Sequence, residues 1–351
     1  MSDFHKLSIN KITRQTESCV TLRFDIPDNL KQQFNFIAGQ YITLKTTVNG
    51  EEVRRDYSLC SSPKSGQITV AVKAIENGTF SKYANCTLKE GDVLAVSEPQ
   101  GRFTFTPDPS KSRTIAAFAA GSGITPVLSI AQSVLEEEPN STFVLVYGNK
   151  SIKDTIFFDA ILKLHQEYKE RFDIKFIFSQ TQEPDALFGR IEKSTVNLIV
   201  KNKYKHTTID AFYLCGPEAM IHTVKDVLTE NSILENKVFF ELFKVAKTEQ
   251  AIKNAANTGD TKIKVIVDDE EETFVMSQSK TILEAALDQN LDAPYSCQGG
   301  ICSSCIARVT EGKANMRQNN ILTDSEVAEG LILTCQAQPI SSKITVDYDD
   351  V

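Results

Sequence analysis

The spacing Cys297-x4-Cys302-x2-Cys305, completed by Cys335 in Leu333-Thr334-Cys335-Gln336, constrains this chain more than any other feature. Four thiols must reach one small volume, so a tight loop supplies three and a returning segment supplies the fourth. Four cysteine thiolates hold a 2Fe-2S cluster at this spacing. Gly299 and Gly300 let the loop wrap closely and aim backbone amides at sulfur. The competing readings are a zinc site and a set of buried thiols. Zinc motifs pair C-x2-C with a second C-x2-C or with histidines, and the last histidine here is His222. A one-electron carrier so late in a chain needs a source of electrons upstream.

The 351 residues are enough for about two or three domains, each with its own core. No run reaches the roughly 18 apolar residues of a membrane helix, and Met1-Ser2-Asp3-Phe4-His5-Lys6 carries no signal peptide. Membrane insertion is therefore not expected. Of eight cysteines, four are candidate ligands; Cys19, Cys60, Cys86 and Cys215 lie scattered in apolar stretches like buried thiols, which fits a reducing cytoplasm. A net charge of −8 argues against a nucleic-acid partner and allows one with a basic face.

From residue 6 to about 98 the chain reads as short strands, at 6–13, 19–25, 41–47, 54–60, 67–73 and 93–97. Their alternation, β-branched content and regular turns predict an antiparallel barrel. Two pieces within it carry chemistry. In Arg55-Asp56-Tyr57-Ser58 a guanidinium can hold a pyrophosphate, a ring can lie against a flavin and a hydroxyl can reach a flavin nitrogen. In Gly78-Thr79-Phe80-Ser81 a glycine opens a short helix whose first amides, beside a hydroxyl, suit phosphate. Either alone has a bland reading as ordinary strand or turn. Together, followed by Pro99-Gln100-Gly101-Arg102-Phe103, they become specific.

Beyond Pro107 and Pro109 the period changes. Strands at 113–119, 142–147, 174–179, 211–215 and 238–242 alternate with helices at 126–136, 154–171, 192–201 and 217–229, predicting a parallel sheet with helices on both faces. Ligands on such sheets bind beyond the carboxyl ends of the strands. Three segments fall there: Gly121-Ser122-Gly123-Ile124-Thr125-Pro126, Tyr147-Gly148-Asn149-Lys150, and Cys215-Gly216-Pro217. Pro126 replaces the third glycine of a full dinucleotide fingerprint, so Thr125 reads as an N-cap and Pro126 as the first helical residue. The small, soft thiol of Cys215 can lie against a nicotinamide ring; its bland reading is a buried small residue.

Residues 244–260 lack an apolar stripe and read as a linker. Ile263, Val265 and Val267 then alternate, 268–271 turn, and 273–276 return as a hairpin. Thr281 and Glu284 form a capping box ahead of a short amphipathic helix, and the cysteine loop follows. The histidines (His5, His165, His206 and His222) show no ligand spacing. The basic run 201–206 and the acidic runs 268–272 and 347–350 read as solvated faces, with partner docking the alternative for the acidic pair.

On these motifs, residues 1 to about 244 resemble the ferredoxin–NADP reductase superfamily, and residues 262–351 resemble a plant-type ferredoxin. The order is that of the oxygenase reductases with a C-terminal 2Fe-2S domain. Within that group the motifs look most like reductases of the phenylacetyl-CoA epoxidase type. The resemblance implies a multidomain protein. A Greek-key barrel binding FAD (1–108) precedes a parallel α/β domain for NAD(P)H (109–244), a linker (245–261) and a β-grasp ferredoxin (262–351). It implies that Arg55 contacts the FAD pyrophosphate, Tyr57 packs on the isoalloxazine and Ser58 approaches N5, with Gly78, Thr79 and Ser81 at the phosphate. Gly121, Gly123, Thr125, Gly216 and Pro217 would line the nicotinamide nucleotide, with Cys215 beside the ring and Asn149 and Lys150 at the adenosine half. Glu241 and Phe243 match the closing strand near the flavin, making Ser58, Cys215 and Glu241 the expected catalytic set. Cys297, Cys302, Cys305 and Cys335 would hold the cluster. The family more often has arginine where Lys150 stands, but a lysine still suits a 2′-phosphate, favouring NADPH over NADH. The implied path is hydride to FAD, then single electrons through the cluster to a di-iron oxygenase component. A ring hydroxylase, steroid hydroxylase or desaturase as acceptor, or a non-catalytic cluster sensor, are the alternatives.

Overall fold

The computed structural model describes residues 4–243 and 259–351, which form two compact units separated at residue 243. The expected linker lies almost wholly outside the described residues; Asp260 and Thr261, assigned to it above, belong to the first strand of the second unit.

In the unit Phe4–Phe243, the chain begins with β1 (Phe4–Thr16), β2 (Cys19–Phe24), β3 (Tyr41–Val48), β4 (Glu51–Ser58), β5 (Ile68–Lys73) and β6 (Val93–Ser97). They form one antiparallel sheet in the order β4-β3-β6-β1-β2-β5. The sheet closes on itself just past β4, where Leu59 bridges Val70 and the Cys60 amide donates to the Thr69 carbonyl at 2.9 Å. That contact brings the two end strands together as a barrel. Val48 faces Glu51, so Asn49-Gly50 is a two-residue hairpin turn, and both residues take the positive φ (54° and 85°) that such a turn demands. Alternate apolar residues such as Leu7, Leu22, Ile42 and Val70 fill the interior. Helix α1 (Thr79–Cys86) packs against β5.

The second half of this unit carries β7 (Thr114–Ala120), β8 (Thr142–Asn149), β9 (Phe172–Phe178), β10 (Leu187–Phe188), β11 (Ala211–Gly216) and β12 (Val238–Leu242). All run parallel in the order β10-β9-β8-β7-β11-β12. The central strand β7 is buried on both sides. Ile115, Ala117 and Ala119 join the core under α2 (Ile124–Glu137) and α3 (Phe158–Glu167), while Ala116 and Phe118 on the other face are equally closed off. Such double burial explains the unbroken apolar run of this strand. The chain adds strands first on one side of β7 and then, from β11, on the other. The order therefore reverses between β7 and β11, and a ligand crevice opens beyond their carboxyl ends.

Three expectations need correction here. The glycines of 121–123 form a short 3-10 turn that runs straight into α2 at Ile124, so Thr125 is the second helical residue and not the cap. Its hydroxyl donates back to the Ser122 carbonyl at 3.0 Å. Pro126 still lies in the first turn, where its missing N–H is harmless. The helix expected over 154–171 is a 3-10 turn at Ile152–Asp154, then α3 from Phe158. Phe157, with φ 63°, breaks the run so that Ile156 and Phe157 can enter the core. The helix expected at 192–201 is α4 (Lys193–Asn197) continuing as a π-helical stretch, Leu198–Lys203. Helix α5 (Glu218–Glu230) follows β11 as expected.

In the unit 259–351, β13 (Asp260–Val267), β14 (Glu270–Ser277), β15 (Ile306–Glu311), β17 (Leu331–Leu333) and β19 (Lys343–Asp347) form a sheet ordered β14-β13-β19-β15-β17. Of these strands only β13 and β19 pair in parallel; β16 (Ala314–Met316) and β18 (Ala337–Pro339) make a small second ribbon. Helix α6 (Ile282–Asp288) begins with the expected capping box. Glu284 N donates to Thr281 Oγ1 at 3.2 Å and Thr281 N to Glu284 Oε2 at 2.8 Å. A second box, Thr323 with Glu326, opens α7 (Asp324–Ala328). The β13–β14 turn has Asp268 and Asp269 at φ 53° and 60°, and their amides donate to the two carboxylate oxygens of Asp349 at 3.1 and 2.8 Å. The two acidic runs thus meet, and Asp349 is a turn anchor and not simply a solvated charge.

Candidate functional site

The crevice between β7 and β11 is shaped by main chain. A Cβ on Gly123 would lie 2.0 Å from the Cys215 carbonyl oxygen, and one on Gly216 would lie 3.1 Å from the Ala120 amide nitrogen. Only glycines allow the two strand-end turns to touch. Gly121 is different: it takes φ 55°, its carbonyl accepts from the fully buried Tyr147 hydroxyl at 2.9 Å, and its open side meets only the Lys73 ammonium, 4.0 Å from a built Cβ. A left-handed glycine facing a cation makes a cradle suited to phosphate. Lys73 escaped the sequence reading, because nothing local to β5 says that its end reaches this turn.

Three expected residues meet at the same crevice. Ser58 ends β4, and its hydroxyl donates to Glu241 Oε2 at 3.1 Å. Glu241 on β12 is the register partner of Cys215 on β11. Part of Glu241 meets solvent, yet its carboxyl head is desolvated, which pushes its pKa up to about 8 against the opposing pull of the Ser58 hydrogen bond. Cys215 is fully buried, and burial with the neighbouring Glu241 charge holds its thiol well above the ordinary value. Barrel and sheet are fastened here by the Ser129 hydroxyl, donating from α2 to the Ser61 carbonyl at 2.7 Å. The contact between Ser58 and Glu241, 183 residues apart, joins the same two halves.

The remaining candidates surround this centre. Arg55 is exposed on β4, and Tyr57 lies beside Phe80 of α1 with ring centroids 5.6 Å apart. Burial raises the Tyr57 phenol above its ordinary value. Gly78 caps α1, and a Cβ there would meet Ser81 Oγ at 2.2 Å, so glycine is what lets Ser81 fold back to accept from the Ile75 amide at 3.3 Å. Thr79 is the first residue of that helix. Asn149 ends β8, with Lys150 exposed just beyond it. Pro217 precedes α5, and Phe243 is exposed after β12.

In the second unit the cysteine loop 297–305 and the Cys335 segment come together. The thiols of Cys305 and Cys335 lie close enough to act on each other, which raises Cys305 and lowers Cys335, and Cys297 lies near enough to perturb both. Gly299 N donates to Cys297 Sγ at 3.3 Å. Gln336 clips the two segments, its Nε2 donating to the Gln298 carbonyl at 2.9 Å and lying 3.7 Å from Cys335 Sγ. Gly300, at φ 69°, gives Gln336 its room. Cys302 is buried on the same loop. Among the described residues no three His, Cys, Asp or Glu side chains form a single metal-ready group. The thiols are instead gathered by loop hydrogen bonds, a soft-donor set that fits iron–sulfur chemistry.

The sequence matches three families: an oxidoreductase FAD-binding domain over residues 6–105, an oxidoreductase NAD-binding domain over 118–226, and a 2Fe-2S iron-sulfur cluster binding domain over 265–339. It is 37% identical over 353 residues to one of the polypeptides of the Escherichia coli 1,2-phenylacetyl-CoA epoxidase, covering 99% of each chain. This chain belongs to the ferredoxin–NADP reductase family. It is a reductase with FAD-binding, NAD-binding and 2Fe-2S domains, as the motifs led one to expect. The ferredoxin reductase component of a Mycobacterium tuberculosis 3-ketosteroid-9-alpha-monooxygenase is 29% identical, with 98% of this chain and 96% of that one covered. Among solved structures, phthalate dioxygenase reductase is similar at 26% identity and a TM-score of 0.61, with 98% of both chains covered. No described helix is long and apolar enough to cross a membrane.

Proposed function

We propose that this chain oxidises NADPH, and NADH less well, and delivers the electrons singly to a di-iron oxygenase component of the phenylacetyl-CoA epoxidase type in the cytoplasm. The observation that carries the redox reading is the meeting of Ser58, Cys215 and Glu241 at the sheet's switch point. The acceptor rests on the full-length likeness to the epoxidase polypeptide.

When bound, the nicotinamide supplies a hydride, the flavin trades an electron pair for single electrons, and the cluster carries those one at a time. The protein's part is placement. Ser58 is oriented by Glu241, which keeps its proton on the carboxyl near neutral pH because its pKa is raised. Cys215 offers an uncharged, compact surface for a planar ring. Arg55, Tyr57, Gly78, Thr79 and Ser81 hold the flavin nucleotide, with Phe243 near its ring. Gly121, Gly123, Gly216, Pro217 and Lys73 form the cradle for the second diphosphate, and Thr125 acts by fixing the Ser122 carbonyl. Asn149 and Lys150 receive the adenosine half, Lys150 favouring a 2′-phosphate. Cys297, Cys302, Cys305 and Cys335 ligate the cluster. The domain boundaries are drawn at 1–108 and 109–244, with a connecting segment that ends before β13, so that the third domain takes in Asp260 and Thr261 and runs to 351.

Anaerobic titration with NADPH, and separately with NADH, followed by visible absorbance tests the core of this. Bleaching of both flavin and iron–sulfur bands is expected, at lower NADPH than NADH. If neither band responds to either nucleotide, the reading is wrong. Replacing Lys150 by Ala should lower the NADPH-over-NADH preference about tenfold, the scale of one lost charge-assisted contact. Adding a di-iron epoxidase component with phenylacetyl-CoA should then make NADPH oxidation substrate-dependent. Turnover instead with a ring or steroid hydroxylase would reassign the acceptor.

A further inference from the structure

Among the described residues of the second unit, three buried side-chain polar atoms have no hydrogen-bond partner: Ser296 Oγ, Asn320 Nδ2 and Tyr348 OH. All three are donors, and all lie by the cysteines. Ser296 directly precedes Cys297, and the Asn320 backbone N–H donates to the Gly300 carbonyl at 3.3 Å. Tyr348 follows β19 and packs in the same buried cluster as Cys305 and Cys335. A buried donor without an acceptor is destabilising, and native proteins rarely leave one unmet. Three together, around one set of thiols, call for an acceptor that the protein's own side chains do not supply.

Tyr348 is the most informative of the three. It is 5% exposed, and its backbone is held by donation from its amide to the Ile266 carbonyl at 3.0 Å. The neighbouring Thr334 hydroxyl is not its hydrogen-bond partner and donates instead to the Cys305 carbonyl at 3.0 Å. The phenol therefore lies in the same buried core as the Cys305 and Cys335 thiols with its donor free. Ligation turns both thiols into thiolate sulfurs, which accept hydrogen bonds.

We infer that the Tyr348 hydroxyl donates a hydrogen bond to the sulfur of Cys305 or Cys335 and thereby raises the reduction potential of the cluster. It rests on the assignment of these cysteines as cluster ligands. The physical reason is that reduction adds negative charge to the iron–sulfur unit, and a donor on its sulfurs stabilises the reduced form more than the oxidised one. Tyr348 is in this sense a positioning and tuning residue.

The test is a dye-mediated potentiometric titration of the intact holoprotein, following the EPR signal of the reduced cluster, in wild type and Tyr348→Phe. The substitution keeps the ring and removes the donor. Reduction of the cluster should become about tenfold less favourable, a fall of about 59 mV for a one-electron couple, while the flavin potential stays put. The deuterium-sensitive shift of the Fe–S(Cys) Raman bands should shrink in the variant, a change that loosened packing alone would not produce. An unchanged potential in a variant with an intact cluster spectrum overturns the inference alone. A wild-type protein that takes up no cluster overturns it together with the functional reading. If Tyr348→Phe does not retain its cluster, 3-fluorotyrosine placed at 348 decides the matter. A stronger donor there should raise the potential, and no rise overturns the inference.

Discussion

Where the crevice at the ends of β7 and β11 is shaped by main chain, the cysteine site is shaped by side chains hung on a loop. In the first, Gly123 abuts the Cys215 carbonyl and Gly216 abuts Ala120, so the surface exists because atoms are missing. In the second, thiols are gathered by a glutamine clip, a glycine amide and one thiol–thiol contact, and three buried donors still lack partners. The contrast follows from the cargo. A diphosphate is bound by amides and dipoles that can be ready beforehand. A metal cluster supplies the bonds that finish its own site.

This contrast predicts which changes each site tolerates. The largest effect is expected at the thiols. Replacing Cys335 by Ala should abolish the iron–sulfur absorbance while leaving flavin bands that NADPH still bleaches; retained cluster absorbance would show that the fourth ligand lies elsewhere. Next comes Gly123→Ala. A Cβ forced to within 2.0 Å of a carbonyl oxygen must move backbone, and such overpacking costs about 1–3 kcal/mol, more where backbone cannot yield. Denaturant unfolding should show that loss in the first unit, with weakened nucleotide binding and the cluster spectrum unchanged. Gly299→Ala, with no contact closer than 3.7 Å at a built Cβ, should be mild by comparison.

Ser58→Ala should slow flavin reduction by NADPH about tenfold to a hundredfold in stopped flow, the range for a lost hydrogen bond to a reacting or orienting group. The same change should push Glu241 still higher, because the Ser58 hydroxyl is what lowers it. The sign for stability follows. A carboxyl raised in the folded state to about 8 contributes stability that is complete below its ordinary value of 4.5 and is lost as pH rises through 8. Glu241→Gln should flatten that part of the stability–pH curve. The smallest effect is expected from Thr281→Ala, which removes half of a capping box and should cost about 1 kcal/mol, read as a small shift in denaturant midpoint.

Much of this was legible in the chain because it is local. The Thr281–Glu284 box and the cysteine spacing each need only a few neighbouring residues, and the glycine turns announce strand ends that ligands use. Thr125 was misplaced by two positions because a cap and a 3-10 entry look alike until the turn's own hydrogen bonds are known. Phe157 was read as helical because its left-handed backbone is imposed by the core and not by its neighbours. Lys73, Gln336, Asp349 and Tyr348 carry no signal in their surroundings. Each acts on a segment distant in sequence, 48 residues away for Lys73 at Gly121, and only the closed fold makes the pairing.

The parallel pairing of β13 with β19 has a consequence for how the protein is made. Lys262 faces Lys343 at the middle of the sheet, and Cys297, Cys302 and Cys305 lie between those two points in the chain. During synthesis these three cysteines leave the ribosome before the strand that completes their sheet. For that interval they are reactive thiols on an unfinished scaffold, open to oxidants and to stray zinc or copper. Slowing translation after residue 305, or starving cells of iron during that window, should therefore harm the yield of cluster-loaded protein more than the yield of flavin-loaded protein. For the second half of this chain, maturation is a race between the ribosome and the chemistry of exposed sulfur.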